Sequence, residues 1–349
     1  MSTIDSFVAP QNLTDAPRRG SDYAELLALV RKDGLLDRRP VDAAIRIVGT
    51  AGLLVAGWTA FALLGDSWWQ LVTAVFLAFA FTQAGFLGHD AGHRQIFRSR
   101  RANTAVGLIF GNVAIGLAFG WWVDKHHRHH ARPNQEGLDP DIGGDSLVFT
   151  ESQAVGRRGV GRFVARHQRL LFFPMLFLEA IALHVASVQA VARPDYPHRG
   201  REALLLLLHA AGYVTAIALV LSPLQALAFV AVQQGLFGLY LGCAFAPNHK
   251  GMPILSADDD TDFLRRQVLT SRNVRGSRVV DLALGGLNYQ IEHHLFPSMP
   301  RAALPLAQPI VRAHCARLGL SYAETGLVDS YRQALRHLHT VGRGTSGPP

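Results

Sequence analysis

Residues 68–93 read WWQLVTAVFLAFAFTQAGFLGHDAGH. The apolar run at 68–88 is long enough to cross the hydrocarbon core of a bilayer as one helix, which takes about 20 residues. His89 and His93 follow at once, and their spacing of four places both imidazoles on the same helical face. Neutral imidazole is the commonest protein ligand for transition metals. The stretch therefore predicts a membrane-spanning helix with metal-binding side chains at its end.

The composition extends this prediction to the whole chain. Of 349 residues, 49% are hydrophobic and 17% are charged, whereas soluble proteins carry about 25% charged residues. Three further apolar runs of membrane-spanning length lie at 45–64, 203–221 and 224–246. Together with the run at 68–88 they predict two transmembrane hairpins. The two cysteines provide neither a disulfide framework nor a thiolate zinc site.

The distribution of positive charge predicts the orientation in the membrane. The formal net charge is +8, yet the hairpin turns at 65–67 and 222–223 contain no Lys or Arg. Because positively charged loops stay on the cytoplasmic side, we expect both termini and the central region to be cytoplasmic. The positive residues flank apolar runs instead of forming one basic face, which argues against a nucleic acid partner. No cleavable signal precedes the first run, so we expect the N-terminus to be retained.

Two more apolar stretches, at 104–122 and 170–191, separate the hairpins. If both crossed the bilayer, the histidine-rich stretch at 126–130 and the arginines after it would be exported, against the charge rule. We therefore expect both stretches to be interfacial or re-entrant segments that return to the cytoplasmic side. Glycines in the first stretch and Pro174 in the second permit the bends that this path requires.

Two further histidine clusters repeat the helical spacing of the first. Residues 126–130 read HHRHH and residues 290–294 read QIEHH. In both, the first, fourth and fifth positions share a helical face, so each cluster is expected to aim two or three imidazoles at one centre. His127 and Glu292 fall off these faces and are not expected to bind metal. The imidazoles outnumber the needs of one ion, which points to a pair, and they suit iron, copper, zinc or nickel. The facing residues are His126, His129 and His130 in one cluster, and Gln290, His293 and His294 in the other.

The three boxes HDAGH, HHRHH and QIEHH, in this order and with paired hairpins around them, resemble those of membrane-bound fatty acid desaturases. The resemblance covers residues 40–305, and the Gln-headed third box is similar to the acyl-lipid and front-end branch. The short chain looks more like the bacterial enzymes, and the His-Pro-Gly-Gly signature of a fused cytochrome b5 domain does not occur in the sequence. Its electrons are then expected from a separate protein: ferredoxin, flavodoxin, or cytochrome b5 with its reductase.

The resemblance implies an oxidoreductase that uses O2 and two iron ions to introduce a cis double bond into a lipid acyl chain. It also adds His249, just after the last apolar run, as an eighth ligand. A hydroxylase or ketolase on the same scaffold is the alternative. A metal transporter is a more distant one, because transport sites belong near the bilayer midplane and these clusters lie at helix ends. The implied metal ligands are His89, His93, His126, His129, His130, His249, His293 and His294.

These inferences together predict the architecture. We expect an all-α integral membrane protein with four transmembrane helices in two hairpins, two interfacial or re-entrant segments and a cytoplasmic helical cap that holds the dimetal site. The membrane is expected to be the bacterial cytoplasmic membrane. Residues 1–40 are predicted to be a cytoplasmic N-terminal segment with an amphipathic helix at 21–31, and residues 41–305 the desaturase domain. Residues 306–349 are predicted to form a cytoplasmic C-terminal helix and a tail that is disordered from 342.

Polar and aromatic residues near the boxes are assigned supporting roles. Candidates for fixing imidazole tautomers are the carboxylates Asp90, Asp139, Asp141, Asp281 and Glu292. Candidates for weak or water-bridged metal contacts are Gln290 and Asn248. Candidates for lining a substrate tunnel, with simple packing as the equal alternative, are Trp121, Trp122, Asn288 and Tyr289. Residues inside apolar runs that are expected to form helix–helix hydrogen bonds are Gln83, His184, His209, Gln233 and Gln234.

Overall fold

The N-terminal part of the fold is a short helix followed by a long helical hairpin. A computed structural model describes residues 21–144 and 146–344. The helices are α1 (Asp22–Lys32), α2 (Pro40–Leu64) and α3 (Gln70–Gly92). Ser21 caps α1, since its hydroxyl accepts a hydrogen bond from the backbone N–H of Ala24. The predicted amphipathic helix is therefore present, and its apolar Leu26 and Val30 are fully buried against the C-terminal part of the chain.

Two bent segments follow this hairpin. In the first, α4 (Arg100–Gly107) continues as a π-helix (Leu108–Ala114), breaks, and resumes as α5 (Phe119–Ala131) at an angle of 114°. In the second, α6 (Glu151–Val155) precedes α7 (Gly159–Leu176) and α8 (Glu179–Ala192), which meet at 81°. The break at residues 115–118 is named the bend. Gly116 lies in the bend with φ +70°, a conformation that glycine adopts without strain. The bends lie where the sequence predicts re-entrant segments.

The second hairpin consists of α9 (Arg199–Val220) and α10 (Pro223–His249). Four helices, α2, α3, α9 and α10, are long and apolar enough to span a membrane, as predicted. Within the most apolar stretch of each helix, 67% of α3 and 39% of α10 is buried inside the protein, compared with 17% of α2 and 6% of α9. The bundle is therefore built around α3 and α10, while α2 and α9 expose apolar side chains such as Leu63 and Leu219 to lipid.

The close packing of α10 depends on a glycine. A Cβ atom on Gly238 would lie 2.7 Å from the backbone nitrogen of Ala180 and from the carbonyl oxygen of Leu176. The backbone of α10 therefore meets the junction between α7 and α8 without an intervening side chain, as small residues allow in membrane bundles. This contact holds the second bent segment against the centre of the bundle.

The C-terminal part of the chain forms a cap, which consists of residues 250–342 and packs with α1. Its elements are α11 (Phe263–Leu269), β1 (Asn273–Arg275), α12 (Arg278–Ala283), α13 (Gln290–Leu295), a 3-10 turn (Arg301–Ala303), α14 (Leu304–Arg317), β2 (Glu324–Gly326) and α15 (Leu327–Gly342). The two strands pair in parallel and are too short to have left a pattern in the sequence. Apart from these strands and one isolated bridge, the regular secondary structure of the described residues is helical, in agreement with the predicted all-α class. The predicted cytoplasmic segment up to residue 20 lies outside the described residues, as does the tail from 345 onward. The tail was predicted to be disordered from 342, which is wrong for Gly342, because this residue is the buried end of α15.

Candidate metal centre

The structure brings all eight predicted histidines together, in two groups, where α3, α5, α10 and α13 end or begin. Within each group the candidate ligand atoms lie within 4.8 Å of one another, and every histidine is buried. The five-histidine group consists of His89, His93, His126, His130 and His293. The three-histidine group consists of His129, His249 and His294. His127 lies outside both groups and is exposed, as its position off the helical face predicts.

The division differs from the expectation that each cluster serves one centre. On α5, His126 and His130 belong to the five-histidine group, and His129 belongs to the other. Successive residues of an α-helix point about 100° apart, so neighbours diverge whereas residues four apart nearly coincide. The same rule separates the adjacent His293 and His294 of α13. These two helices therefore connect the groups, and the stacked rings of His130 and His294 lie with their centroids 4.0 Å apart.

The arrangement of the ring nitrogens fits metal ions. In the five-histidine group, Nε2 of His89, His93 and His293 is buried without a hydrogen-bond partner among the described residues. In the three-histidine group, Nε2 of His249 lies 3.3 Å from Nε2 of His129 and 3.0 Å from Nε2 of His294. Buried polar atoms rarely stay unsatisfied, and converging lone pairs repel one another. A cation at each group would remove both costs.

The protonation state of His93, His293 and His294 suits the same role. Burial, reinforced by neighbouring histidines, lowers the pKa of His93, His293 and His294 well below the ordinary value. These side chains therefore remain neutral near pH 7, which is the form that binds a metal ion.

The three-histidine group is fixed from outside by hydrogen bonds to Nδ1. His129 Nδ1 lies 3.0 Å from both carboxylate oxygens of Asp139 and 3.5 Å from Asp141. His249 Nδ1 donates to the carbonyl of Thr270 at 3.0 Å, and His294 Nδ1 donates to Gln267 Oε1 at 2.9 Å. Such partners orient metal-binding imidazoles and leave Nε2 free for the ion. Asp139 and Asp141 thus stand where the sequence predicts supporting carboxylates.

The other three predicted carboxylates differ in what they contact. Asp90 lies 3.5 Å from His89 but forms its closer ion pair, at 2.7 Å, with Arg301. Asp281 accepts a hydrogen bond from Asn288 and contacts no histidine of either group. Glu292 accepts hydrogen bonds from Asn273 of β1 and from Tyr322, which precedes β2, so it anchors α13 within the cap instead of orienting an imidazole. Burial raises the pKa of Glu292 to about 7. The prediction was wrong for Asp281 and Glu292 because the helical face of a box does not reveal what packs behind it.

Some supporting residues carry no signal in the sequence. Gln267 on α11 bridges two boxes, since its Nε2 donates to the carbonyl of His130 at 3.0 Å while its Oε1 accepts from His294. Arg272 is 1% exposed and donates to the carbonyls of Pro247 and Lys250, on either side of His249. Both lie in a polar stretch that lacks the i, i+3 and i+4 spacing of the histidine boxes. Tertiary packing alone buries them, so the sequence could not identify them.

Gln290, the first residue of the third box, faces the three-histidine group. Its Nε2 lies 2.8 Å from His249 Nε2, and its Oε1 accepts a hydrogen bond from Asn248. Asn248 therefore supports Gln290 and does not itself lie in either group. A side chain at this distance stands in direct reach of anything bound by the three histidines.

A central cavity of about 450 Å³ opens onto both groups. It is lined by His89 and His126 of one group and by His129 and His249 of the other, and continues along apolar side chains of the bundle. The apolar lining includes Ile115, Leu117, Leu183, Leu241 and Phe245. Of the four aromatic and amide residues predicted to line a tunnel, Trp122 does so, and its indole stacks on His126 with centroids 4.5 Å apart. Trp121, Asn288 and Tyr289 are not part of this lining.

The lining becomes polar where the cavity passes α5 and the start of the cap. Lys125 forms an ion pair with the carboxylate of Asp141, and Lys250 Nζ donates to the Asp141 carbonyl at 2.9 Å. Glu179 lies on the same wall. The cavity therefore combines an apolar portion inside the bundle with a charged portion beside the histidines.

The sequence is similar to those of known proteins. Residues 66–326 match the family model described as fatty acid desaturase. The chain is 27% identical over 348 residues to an acyl-lipid (9-3)-desaturase of Physcomitrium patens, covering 96% of this chain and 65% of that protein. It is 30% identical over 336 residues to the delta(6)-fatty-acid desaturase fat-3 of Caenorhabditis elegans, covering 91% and 74%. An acyl-lipid 8-desaturase of Rebecca salina is 32% identical over 276 residues, 77% of this chain and 62% of that protein.

The chain thus spans about two thirds of the length of the curated relatives it matches. The family match covers more than half of the 349 residues and includes α3, the second hairpin and all three histidine boxes. On these grounds the chain belongs to the fatty acid desaturase family.

Proposed function

We propose that the protein is an O2-dependent di-iron desaturase that introduces a cis double bond into a lipid acyl chain. The observation that carries this proposal is the position of the two histidine groups beside one cavity with an apolar portion. The relatives are named as desaturases of acyl lipids or fatty acids, which supports the same chemistry. The desaturase domain is proposed to be residues 41–305, with the cap completing the site.

The eight histidines are proposed to hold the two ions, five imidazoles at one and three at the other. Imidazole-rich sites suit iron, and the smaller number at the three-histidine group leaves more room for a small molecule beside Gln290. Bound there, the iron pair would supply the reductive activation of O2 and the removal of two hydrogens from adjacent carbons. The balance is one acyl chain, one O2, two electrons and two protons in, and one alkene and two waters out.

The side chains around the metal centre are proposed to bind and orient the substrate. The apolar lining accepts the hydrocarbon, and the shape of the cavity selects which carbons lie beside the histidines. Trp122, stacked on His126, forms a wall at this point and helps to exclude water, which limits side reactions. The charged portion at Lys125, Asp141 and Lys250 accommodates the polar end of the lipid.

The two electrons require a partner protein. We propose ferredoxin, flavodoxin or cytochrome b5 with its reductase, acting at the side of the membrane that bears the cap. We propose that this is the cytoplasmic side, which the charge distribution of the loops supports, and that the membrane is the bacterial cytoplasmic membrane.

The test is expression with a ferredoxin and its reductase, followed by gas chromatography and mass spectrometry of the acyl chains and by iron analysis of the purified protein. We expect a new cis double bond and two iron ions per chain. A matched pair of variants sharpens the result: His129→Ala should abolish the product, whereas His127→Ala, in the same box but outside both groups, should retain it. A product heavier by one oxygen atom would establish the hydroxylase instead. Iron that exchanges freely, with no altered lipid, would indicate a transporter and overturn the proposal.

A further inference from the structure

Two histidines inside the membrane bundle bind the backbone at the bend and in the π-helix that precedes it. His184 on α8 donates from Nδ1 to the carbonyl of Gly116 at 2.9 Å. His209 on α9 donates from Nδ1 to the carbonyl of Val113 at 2.9 Å. Their rings stack with centroids 6.2 Å apart and an interplanar angle of 22°. Neither belongs to the metal centre.

The bend needs such partners because it interrupts a helix within the apolar region. A π-helix and a break leave backbone carbonyls without their usual intrahelical donors. In a lipid environment, irregular backbone is tolerated only where protein satisfies it. The fit is close: a Cβ atom on Gly116 would lie 2.5 Å from Cδ2 of His209 and 3.1 Å from Cε1 of His184. The two imidazoles thus substitute for the missing helical hydrogen bonds.

A wider polar network holds His184 by a hydrogen bond and contacts His209 through the ring of Tyr213, which stacks on it with centroids 5.8 Å apart. His184 Nε2 lies 3.2 Å from Gln234 Oε1, and Gln234 Nε2 donates to Gln233 Oε1 at 2.9 Å. The Tyr213 hydroxyl donates to the same Gln233 oxygen at 3.0 Å. The network joins α8, α9 and α10 to the bend, so the position of the bend is set by three helices.

The bend is also a wall of the central cavity. Ile115 and Leu117 line the cavity from the bend, Gly111 lines it from the π-helix, and Leu183 lines it from the residue before His184. A displacement of the bend would therefore move the apolar wall against which a hydrocarbon chain lies.

We propose that His184 and His209 are positioning residues, which fix this wall and thereby select the length of acyl chain that the cavity accepts. The inference rests on the proposed desaturase function. It assigns the intramembrane network a role in substrate selection, beyond joining helices.

The test compares two saturated acyl substrates that differ by two carbons and measures the ratio of their turnover. His184→Leu and His209→Leu should change this ratio by about tenfold, since one methylene in an apolar pocket alters discrimination by about that factor or more. His209→Asn, whose amide can still donate to the Val113 carbonyl, should restore the ratio. Tyr240→Phe is the matched control, because it removes an intramembrane hydrogen bond from Gln83 at 3.2 Å that does not involve the bend.

The outcomes separate a positioning role from a purely structural one. A uniform loss for both chain lengths, with an unchanged ratio, would overturn the proposal. If the leucine variants do not accumulate, Tyr213→Phe is measured instead. Loss of its hydrogen bond to Gln233 should shift the turnover ratio of the two substrates in the same direction but by less. No shift would refute the inference.

A second readout does not depend on turnover. The increase in thermal stability caused by saturated fatty acids of graded length should peak at one length in the wild-type protein and at another in His184→Leu. If the wild-type protein forms no double bond, the proposed function fails, yet this binding profile still tests whether the network sets the wall. An identical peak in both proteins would overturn it.

Discussion

The two histidine groups are held in different ways. Each imidazole of the three-histidine group has Nδ1 hydrogen-bonded to a residue outside the boxes: Asp139, the Thr270 carbonyl or Gln267. In the five-histidine group, His89 has only a longer contact with Asp90, and three Nε2 atoms have no partner among the described residues. The smaller group thus relies on orientation by its surroundings, whereas the larger group relies on the number of its imidazoles.

The largest expected effect follows from ligand number. His249→Ala would leave two imidazoles in the three-histidine group, whereas His93→Ala would leave four in the other. We expect His249→Ala to lose one iron per chain and to lower product formation by more than about 100-fold, since even indirect partners of a metal contribute 10–100-fold. His93→Ala should keep both ions. Iron analysis and product quantification check this, and equal losses in the two variants would remove the distinction between the groups.

The next effect tests orientation. Asp139→Asn keeps the size of the side chain but removes the charge next to His129 Nδ1. We expect iron affinity to fall by about 10–100-fold, because the carboxylate fixes the tautomer and raises the basicity of the imidazole. Competition with a chelator measures the affinity. Asp281→Asn is the control, because it alters a carboxylate that contacts Asn288 and no histidine of either group. The iron affinity of this variant should match that of the wild-type protein.

Much of this site could be predicted from the sequence because helical spacing is local information. The i, i+3 and i+4 positions of the boxes identified seven of the eight histidines that converge, and the family resemblance added His249. Spacing also correctly excluded His127. It did not predict that α5 and α13 each serve both groups, since that depends on how each helix is rotated toward its neighbours.

Helix ends show a similar limit. The apolar runs end at 88 and 246, but α3 continues to Gly92 and α10 to His249. Their polar last turns are buried by the cap, which stabilises helix where hydropathy alone indicates none. Gln267 and Arg272 were missed for the same reason, because only the folded cap brings them to the boxes.

A smaller effect is expected for Gln267, a neutral partner. Gln267→Met removes its bonds to His294 Nδ1 and to the His130 carbonyl while keeping an apolar side chain of similar length. Iron affinity should fall by about tenfold, less than for Asp139→Asn, because a neutral acceptor polarises an imidazole less than a carboxylate does. Gln267→Glu should restore or exceed the wild-type affinity in the same chelator competition. A larger loss in Gln267→Met than in Asp139→Asn would show that bridging two boxes matters more than charge.

The smallest effect on iron affinity is expected at Asp90, although it adjoins a candidate ligand. Its carboxylate pairs with Arg301 at 2.7 Å and lies 3.6 Å from Arg46, whereas the distance to His89 is 3.5 Å. Asp90→Asn would leave a mostly buried arginine without its partner, which lowers the free energy of unfolding by about 3 kcal/mol. We therefore expect a clear loss of thermal stability with iron affinity within about threefold of wild type, since a long contact orients an imidazole weakly. A drop in affinity as large as that of Asp139→Asn would mean that the five-histidine group is also held by its carboxylate, and that the two groups do not differ in kind.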